Sequence, residues 1–236
     1  MNSQQLHNKL PREFSSKKLA LKLRKSGTTL TDYFRQENYF VFSFVRHPFD
    51  RLVSAYLDKI DGKNDPGYRK LRLKFKEDYG QVNFENFLKY ILEKLRTREK
   101  CIKSNIEDCS QIDVHWRPYD QRCAYCAMNY DFIGRMENFA EDVVEVVQRA
   151  NLTNFISEAE ALGLQSHFTS NNSRHYVQNT NAEKVESKAY KASQRALDYF
   201  EYVDQSLIKE LVSFYDLDFT LFQYSTEGFL QNENQV

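Results

Sequence analysis

Residues 39–56 read Tyr-Phe-Val-Phe-Ser-Phe-Val-Arg-His-Pro-Phe-Asp-Arg-Leu-Val-Ser-Ala-Tyr, and this stretch decides the fold class. Tyr39–Val45 is a nearly unbroken run of aromatic and β-branched residues, the pattern of a strand buried on both faces in a parallel sheet. Beyond it the period changes. Phe49, Leu52, Val53, Tyr56, Leu57 and Ile60 recur at helical spacing. Pro48 stands where a first helical residue belongs, and Gly62 closes the segment. Strand, short turn and helix make half of a βαβ unit, so the expected class is α/β.

Working outward, Asn83 is a good N-cap for a helix that carries Phe84, Phe87, Leu88, Ile91, Leu92 and Leu95 on one face. Residues 98–126 read as a loop and hold all four cysteines. Asp131–Gly134 reads as a short strand and turn, and Phe139, Val143, Val146, Val147 and Ala150 mark another helix. The polar stretch Gln165–Asn181 reads as a long loop, followed by helices near 183–200 and 204–215. There is no internal repeat and no Pro/Gly-rich linker, so 1–236 reads as a single domain.

Composition narrows the function classes. The 236 residues are 41% hydrophobic and 28% charged, ordinary globular usage that argues against wholesale disorder. Lys+Arg 33 balance Asp+Glu 33, so no global charge demands nucleic acid or an acidic membrane. No apolar run approaches the roughly 18 residues of a spanning helix, and Met1–Leu10 lacks a signal-peptide apolar region. The balance hides segregation. Seven basic residues between Lys9 and Lys25 face one acid, Glu13, and Lys63, Arg69, Lys70, Arg72, Lys74 and Lys76 are opposed by Asp65. Each basic run reads either as a solvated helix face or as a surface for a polyanion.

Ligands of an open α/β sheet bind beyond the carboxyl ends of its strands, where Arg46 should lie. The following helix N-terminus offers backbone N–H groups, and Arg46 adds a fork of donors matched to phosphate oxygens. Together they suggest an anion site, with a structural ion pair at the strand end as the alternative. Ser54 lies two turns into the helix, about 9 Å along its axis, so helix-end geometry does not select it.

The string Arg46–Tyr56, with Lys59 soon after, closely resembles the 3′-phosphate-binding motif of Golgi carbohydrate sulfotransferases, nearest the chondroitin/dermatan 4-O-sulfotransferase branch. Three further strings resemble that branch in the same order: His115-Trp-Arg-Pro-Tyr119, then Cys123-x-x-Cys126 with Tyr130–Gly134, then Leu217–Tyr224. The resemblance implies a P-loop-like sulfotransferase fold, a parallel sheet flanked by helices with a helix-rich C-terminal half. It also implies transfer of a sulfuryl group from 3′-phosphoadenylyl sulfate to a hydroxyl of a glycosaminoglycan or related glycan, with no metal. Arg46 and Ser54 would hold the 3′-phosphate, helped by the 46–54 segment between them. His115 is the candidate base, with structural support of Trp116 as the alternative role and His47 as the alternative residue. A Golgi-lumen, type II membrane protein is the implied setting, with the anchor outside this chain.

One expected feature is missing. The family carries a Lys-bearing 5′-phosphosulfate loop after a strand upstream of the Arg46 strand. Lys25-Ser-Gly-Thr-Thr29 has suitable chemistry for such a loop, yet Leu19–Leu30 reads better as an amphipathic helix and a turn. The domain is therefore expected to be N-terminally incomplete and this chain inactive by itself. Cys101, Cys109, Cys123 and Cys126 are expected to form disulfides, in any of three pairings, as the implied lumenal setting suggests. Asn151-Leu-Thr153 and Asn171-Asn-Ser173 are glycosylation sequons. Two rivals stand beside the enzyme: a non-catalytic nucleotide- or glycan-binding remnant of the same fold, and a P-loop kinase, for which no GxxxxGK[ST] string exists.

Overall fold

The computed structural model describes residues 25–36, 39–62, 66–103, 112–121, 125, 129–152 and 189–230. Helix α1 spans Leu30–Gln36, and Thr29 starts it: its hydroxyl accepts the Asp32 N–H at 3.1 Å and donates to the Asp32 carboxylate at 2.6 Å. Strand β1 covers Phe42–Val45 and runs straight into helix α2, Pro48–Ala55. Helix α2 continues as a π-helical turn over Tyr56–Asp61, which Gly62 closes by donating to the Leu57 carbonyl. Helices α3, Arg69–Tyr79, and α4, Phe84–Lys103, follow. Strand β2, Phe132–Arg135, then pairs parallel with β1 in the register Phe42↔Phe132 to Val45↔Arg135. A parallel pair needs a crossover, and here the helices α2 to α4 lie within it. Helices α5, Phe139–Arg149, α6, Gln194–Phe200, α7, Gln205–Phe214, and α8, Asp216–Leu221, complete the described elements. The α/β class holds, with helices predominating among the described residues.

The strand–turn–helix reading of 39–62 meets one correction. Val45 is fully buried, but Phe42 is 47% and Tyr39 44% exposed, so the strand is not covered on both faces. Among the described residues β1 pairs only with β2, which leaves the start of the strand open. Gly134 explains how the two strands close up: a Cβ there would lie 2.5 Å from the Phe44 ring.

Two helix boundaries also move. Residues 98–103, read as loop, extend α4, because Arg98, Glu99 and Lys100 are good helix formers and no Gly or Pro interrupts them. The helix expected near 183–200 begins, among the described residues, only at Gln194. Ser193 caps it by accepting the Ala196 N–H, and Tyr190 upstream is extended in a parallel bridge with Tyr224.

One hydrophobic cluster runs from Val45 to Phe229. The apolar faces of α2 and α4 meet in it, and α6 and α7 pack against them. Phe49 stacks on Phe200 at 4.5 Å between centroids, and Trp116 stands edge-on to Phe87 at 5.3 Å. The Asn83 side chain accepts the Asn86 N–H at 2.8 Å, the cap expected for α4. Cys109, Cys123 and Cys126, the Asn171 sequon, the loop Gln165–Asn181 and the basic run before Lys25 lie outside the described residues, as does the side chain of Cys101. No helix among the described residues is long and apolar enough to cross a membrane.

Candidate functional site

The carboxyl end of β1 delivers Arg46, half-buried, directly ahead of α2. His47 turns the chain into the helix. Its Nδ1 accepts the Phe49 N–H at 3.2 Å, and its Nε2 bonds the Ser225 carbonyl at 2.8 Å. Nδ1 is therefore the lone-pair nitrogen and Nε2 carries the proton. The ring is fully buried among Phe49, Phe219, Tyr224 and Phe229. That burial lowers its pKa, against the pull of the Ser225 carbonyl and Asp50, so it stays neutral. His47 is a helix cap held in the core.

This cap corrects one expectation. The first turn of α2 does not present an open row of N–H groups to an anion: Pro48 has none, and His47 occupies that of Phe49. The Asp50 carboxylate also sits in that turn, accepting the Ser193 N–H at 3.0 Å and the Ser193 hydroxyl. Arg46 and Ser54 are the side chains that the motif supplies at this end and in the second turn. Ser54 is half-buried in the second turn of the same helix.

The π-helical turn carries the helix on to Lys59, whose ammonium lies 5.6 Å from the centroid of the Tyr68 ring. Arg72 caps this end, donating to the Lys59 and Gly62 carbonyls at 2.9 and 3.3 Å. Thus Arg72 of the second basic run serves the backbone and Lys74 pairs with Asp78, while Arg69, Lys70 and Lys76 are exposed. Tyr68 in turn meets His115. The His115 Nδ1 is 2.7 Å from Asp113 Oδ1 and 3.0 Å from the Tyr68 hydroxyl. Trp116 is buried while the His115 side chain keeps 41% exposure. Arg117 folds back to donate to the Ile112 carbonyl instead of facing outward. The structure therefore carries Arg46 and Ser54 on one strand–helix element and sets His115, through Tyr68, near the Lys59 end of that element. Asp113 and Tyr68 escaped the sequence reading; the two-residue spacing to His115 was a usable signal for Asp113, and Tyr68 had none.

A buried network ties the motifs together. Arg51 pairs with Asp218 at 3.3 Å and lies over the Tyr119 ring, 3.9 Å from its centroid. Asp218 also accepts the Tyr119 N–H at 2.8 Å. Burial pushes the Asp218 carboxyl up to about 6, against the pull of Arg51 and the backbone amide of Tyr119. Glu137, just past β2, accepts the His47 N–H at 2.8 Å and the Tyr224 hydroxyl at 3.0 Å. Lys25 and Ser26 are helical, and Gly27 turns the chain with φ 65° before Thr29. A strand-to-helix phosphate loop is not the local geometry of 25–29.

The described residues form a helix-rich α/β arrangement with a small parallel sheet, in which Arg46 follows the strand and Ser54 lies in the helix after it. A family model described as the sulfotransferase family matches residues 1–225. The chain belongs to that family. It is 25% identical over 205 residues to carbohydrate sulfotransferase 12 of Mus musculus, covering 80% of this chain and 41% of that protein. It is 25% identical to carbohydrate sulfotransferase 11 of Mus musculus, covering 84% and 50%, and 28% identical to carbohydrate sulfotransferase 10 of Danio rerio, covering 89% and 53%. The chain spans about half the length of these curated relatives. No solved structure matches the chain significantly.

Proposed function

We propose that the protein transfers a sulfuryl group from 3′-phosphoadenylyl sulfate to a hydroxyl of a glycosaminoglycan or related glycan, using a single-domain, P-loop-like sulfotransferase fold. The observation that carries this reading is the shared seat of Arg46 and Ser54 on one continuous strand–helix element at the carboxyl edge of a parallel sheet. A guanidinium and a hydroxyl suit a phosphate monoester: the first supplies permanent charge and a donor fork, the second a rotatable donor. With the Phe49 amide already bonded, these side chains carry the contact with the 3′-phosphate. The donor supplies an activated sulfuryl group for transfer. His115 takes the proton of the acceptor hydroxyl on its Nε2. The exposed Arg69, Lys70 and Lys76 of α3 give an acidic polysaccharide a basic approach to that end of the helix. The names of the relatives, all carbohydrate sulfotransferases, support a glycan acceptor, and the motif resemblance supports a Golgi-lumen location with oxidised cysteines.

Donor binding and transfer are tested separately. Calorimetry with adenosine 3′,5′-bisphosphate should show binding by this chain, and labelled sulfate should pass to desulfated chondroitin or dermatan when the chain is extended by a Lys-bearing phosphosulfate loop. No binding to folded protein overturns the reading. Binding with transfer absent leaves the non-catalytic remnant of the same fold.

A further inference from the structure

His115 has a tautomer that its surroundings dictate. Tyr68 donates its hydroxyl proton to Asp113 Oδ2 at 2.8 Å, and the His115 backbone N–H donates to Asp113 Oδ1 at 2.9 Å. Burial pushes the Asp113 carboxyl up, but the bonds from His115 and Tyr68 outweigh it and hold the group below the usual carboxylate range. Asp113 is therefore ionised at neutral pH, and an ionised carboxylate only accepts. With the Tyr68 proton committed to Oδ2, the 2.7 Å contact between His115 Nδ1 and Oδ1 requires the proton on Nδ1. A neutral imidazole protonated there has its lone pair on Nε2. No described residue bonds that atom, and the side chain stays 41% exposed. The ring is wedged between Tyr68, edge-on at 6.0 Å, and Trp116 at 6.4 Å.

We propose that Asp113 and Tyr68 are positioning residues: together they hold His115 as the Nδ1–H tautomer and aim its Nε2 lone pair at the acceptor hydroxyl, a role that rests on His115 being the base. Tyr68 does so twice, by locking Asp113 through its hydroxyl and by closing one side of the ring. His47 provides an internal contrast, because the same logic gives it the opposite tautomer, with the proton on Nε2.

Long-range proton–nitrogen correlation spectra of the full chain, at mildly alkaline pH, read both tautomers directly. His47→Asn and His115→Asn assign the signals. His115 should show a pyrrole-like Nδ1 and a pyridine-like Nε2, and His47 the reverse. In Asp113→Ala the Tyr68 hydroxyl is left with Nδ1 as its acceptor, so the His115 pattern should reverse; adding Tyr68→Phe should leave a mixture. A wild-type His115 protonated on Nε2, or a pattern unmoved by Asp113→Ala in folded protein, overturns the positioning role. The wild-type spectrum alone suffices should Asp113→Ala not fold. His115→Asn with undiminished sulfate transfer would instead remove the base while the tautomer result stands, so the two failures are distinguishable.

Discussion

Arg46 and His47 are neighbours whose surroundings send them to different work. Arg46 leaves the strand half-buried at the sheet edge, whereas His47 is drawn into the core by four aromatic rings and capped into place. Replacing Arg46 by Ala should weaken adenosine 3′,5′-bisphosphate binding by at least about 2 kcal/mol, as expected for a lost charge-assisted contact. Calorimetry on folded protein measures this, and an unchanged affinity removes Arg46 from the site. His47 predicts a pH effect of definite sign. Its folded pKa lies below the ordinary 6.5, so below that pH the unfolded chain takes up protons that the folded chain refuses. The stability it contributes is complete above 6.5 and is lost as pH falls toward the folded value. His47→Asn keeps a helix-capping side chain without the titration. Denaturant melts should therefore show the advantage of the wild type over this variant shrinking on acidification below about 6.5; a constant difference would contradict the buried neutral ring.

At the scale of elements, the helix that begins at Pro48 shows how much of the site was legible in the sequence. Its start and apolar face follow from local rules, a proline at the first position and side chains at 3.6-residue spacing, and these were readable in advance. Its π-helical end was not, because the turn depends on Arg72, a residue of the next helix, reaching back to the Lys59 and Gly62 carbonyls. Gly62 is required there for space and not for a special backbone angle: its φ is −59°, and an added Cβ would meet the Asp58 and Leu57 carbonyl oxygens at 2.7 and 2.8 Å. Gly62→Ala should lower stability by about 1–3 kcal/mol, the usual cost of overpacking. A thermal melt unchanged from wild type would show that the turn can open without strain.

Across the whole molecule, the buried pair Arg51–Asp218 joins three of the sequence strings, since Asp218 also holds the Tyr119 amide. Asp218→Ala leaves a buried guanidinium without its carboxylate and should cost about 3–5 kcal/mol. Arg96 and Glu210 form a bidentate pair linking α4 to α7, but in solvent, where Arg96 is half exposed. Arg96→Ala should cost no more than about 1 kcal/mol. Urea unfolding of the two variants compares them directly. Similar losses would mean that Asp218 serves mainly to cap the 119 loop and not to neutralise Arg51.

By itself the sequence determined the class of the protein, because its signals are local. An apolar β-type run, a proline-started helix and four ordered strings each lie within a dozen residues and need no partner to be read. Only the tertiary structure decided the roles of side chains that depend on residues far along the chain. Asp218 reaches Arg51 across 167 positions and Ser225 meets His47 across 178, distances over which no periodicity carries information. His115 combines both ranges: the tautomer proposed for it rests on Asp113, two residues away, and Asp113 is held by Tyr68, 45 residues away. Burial and hydrogen bonding set the protonation of a histidine, and both are properties of the folded surroundings and not of the residue.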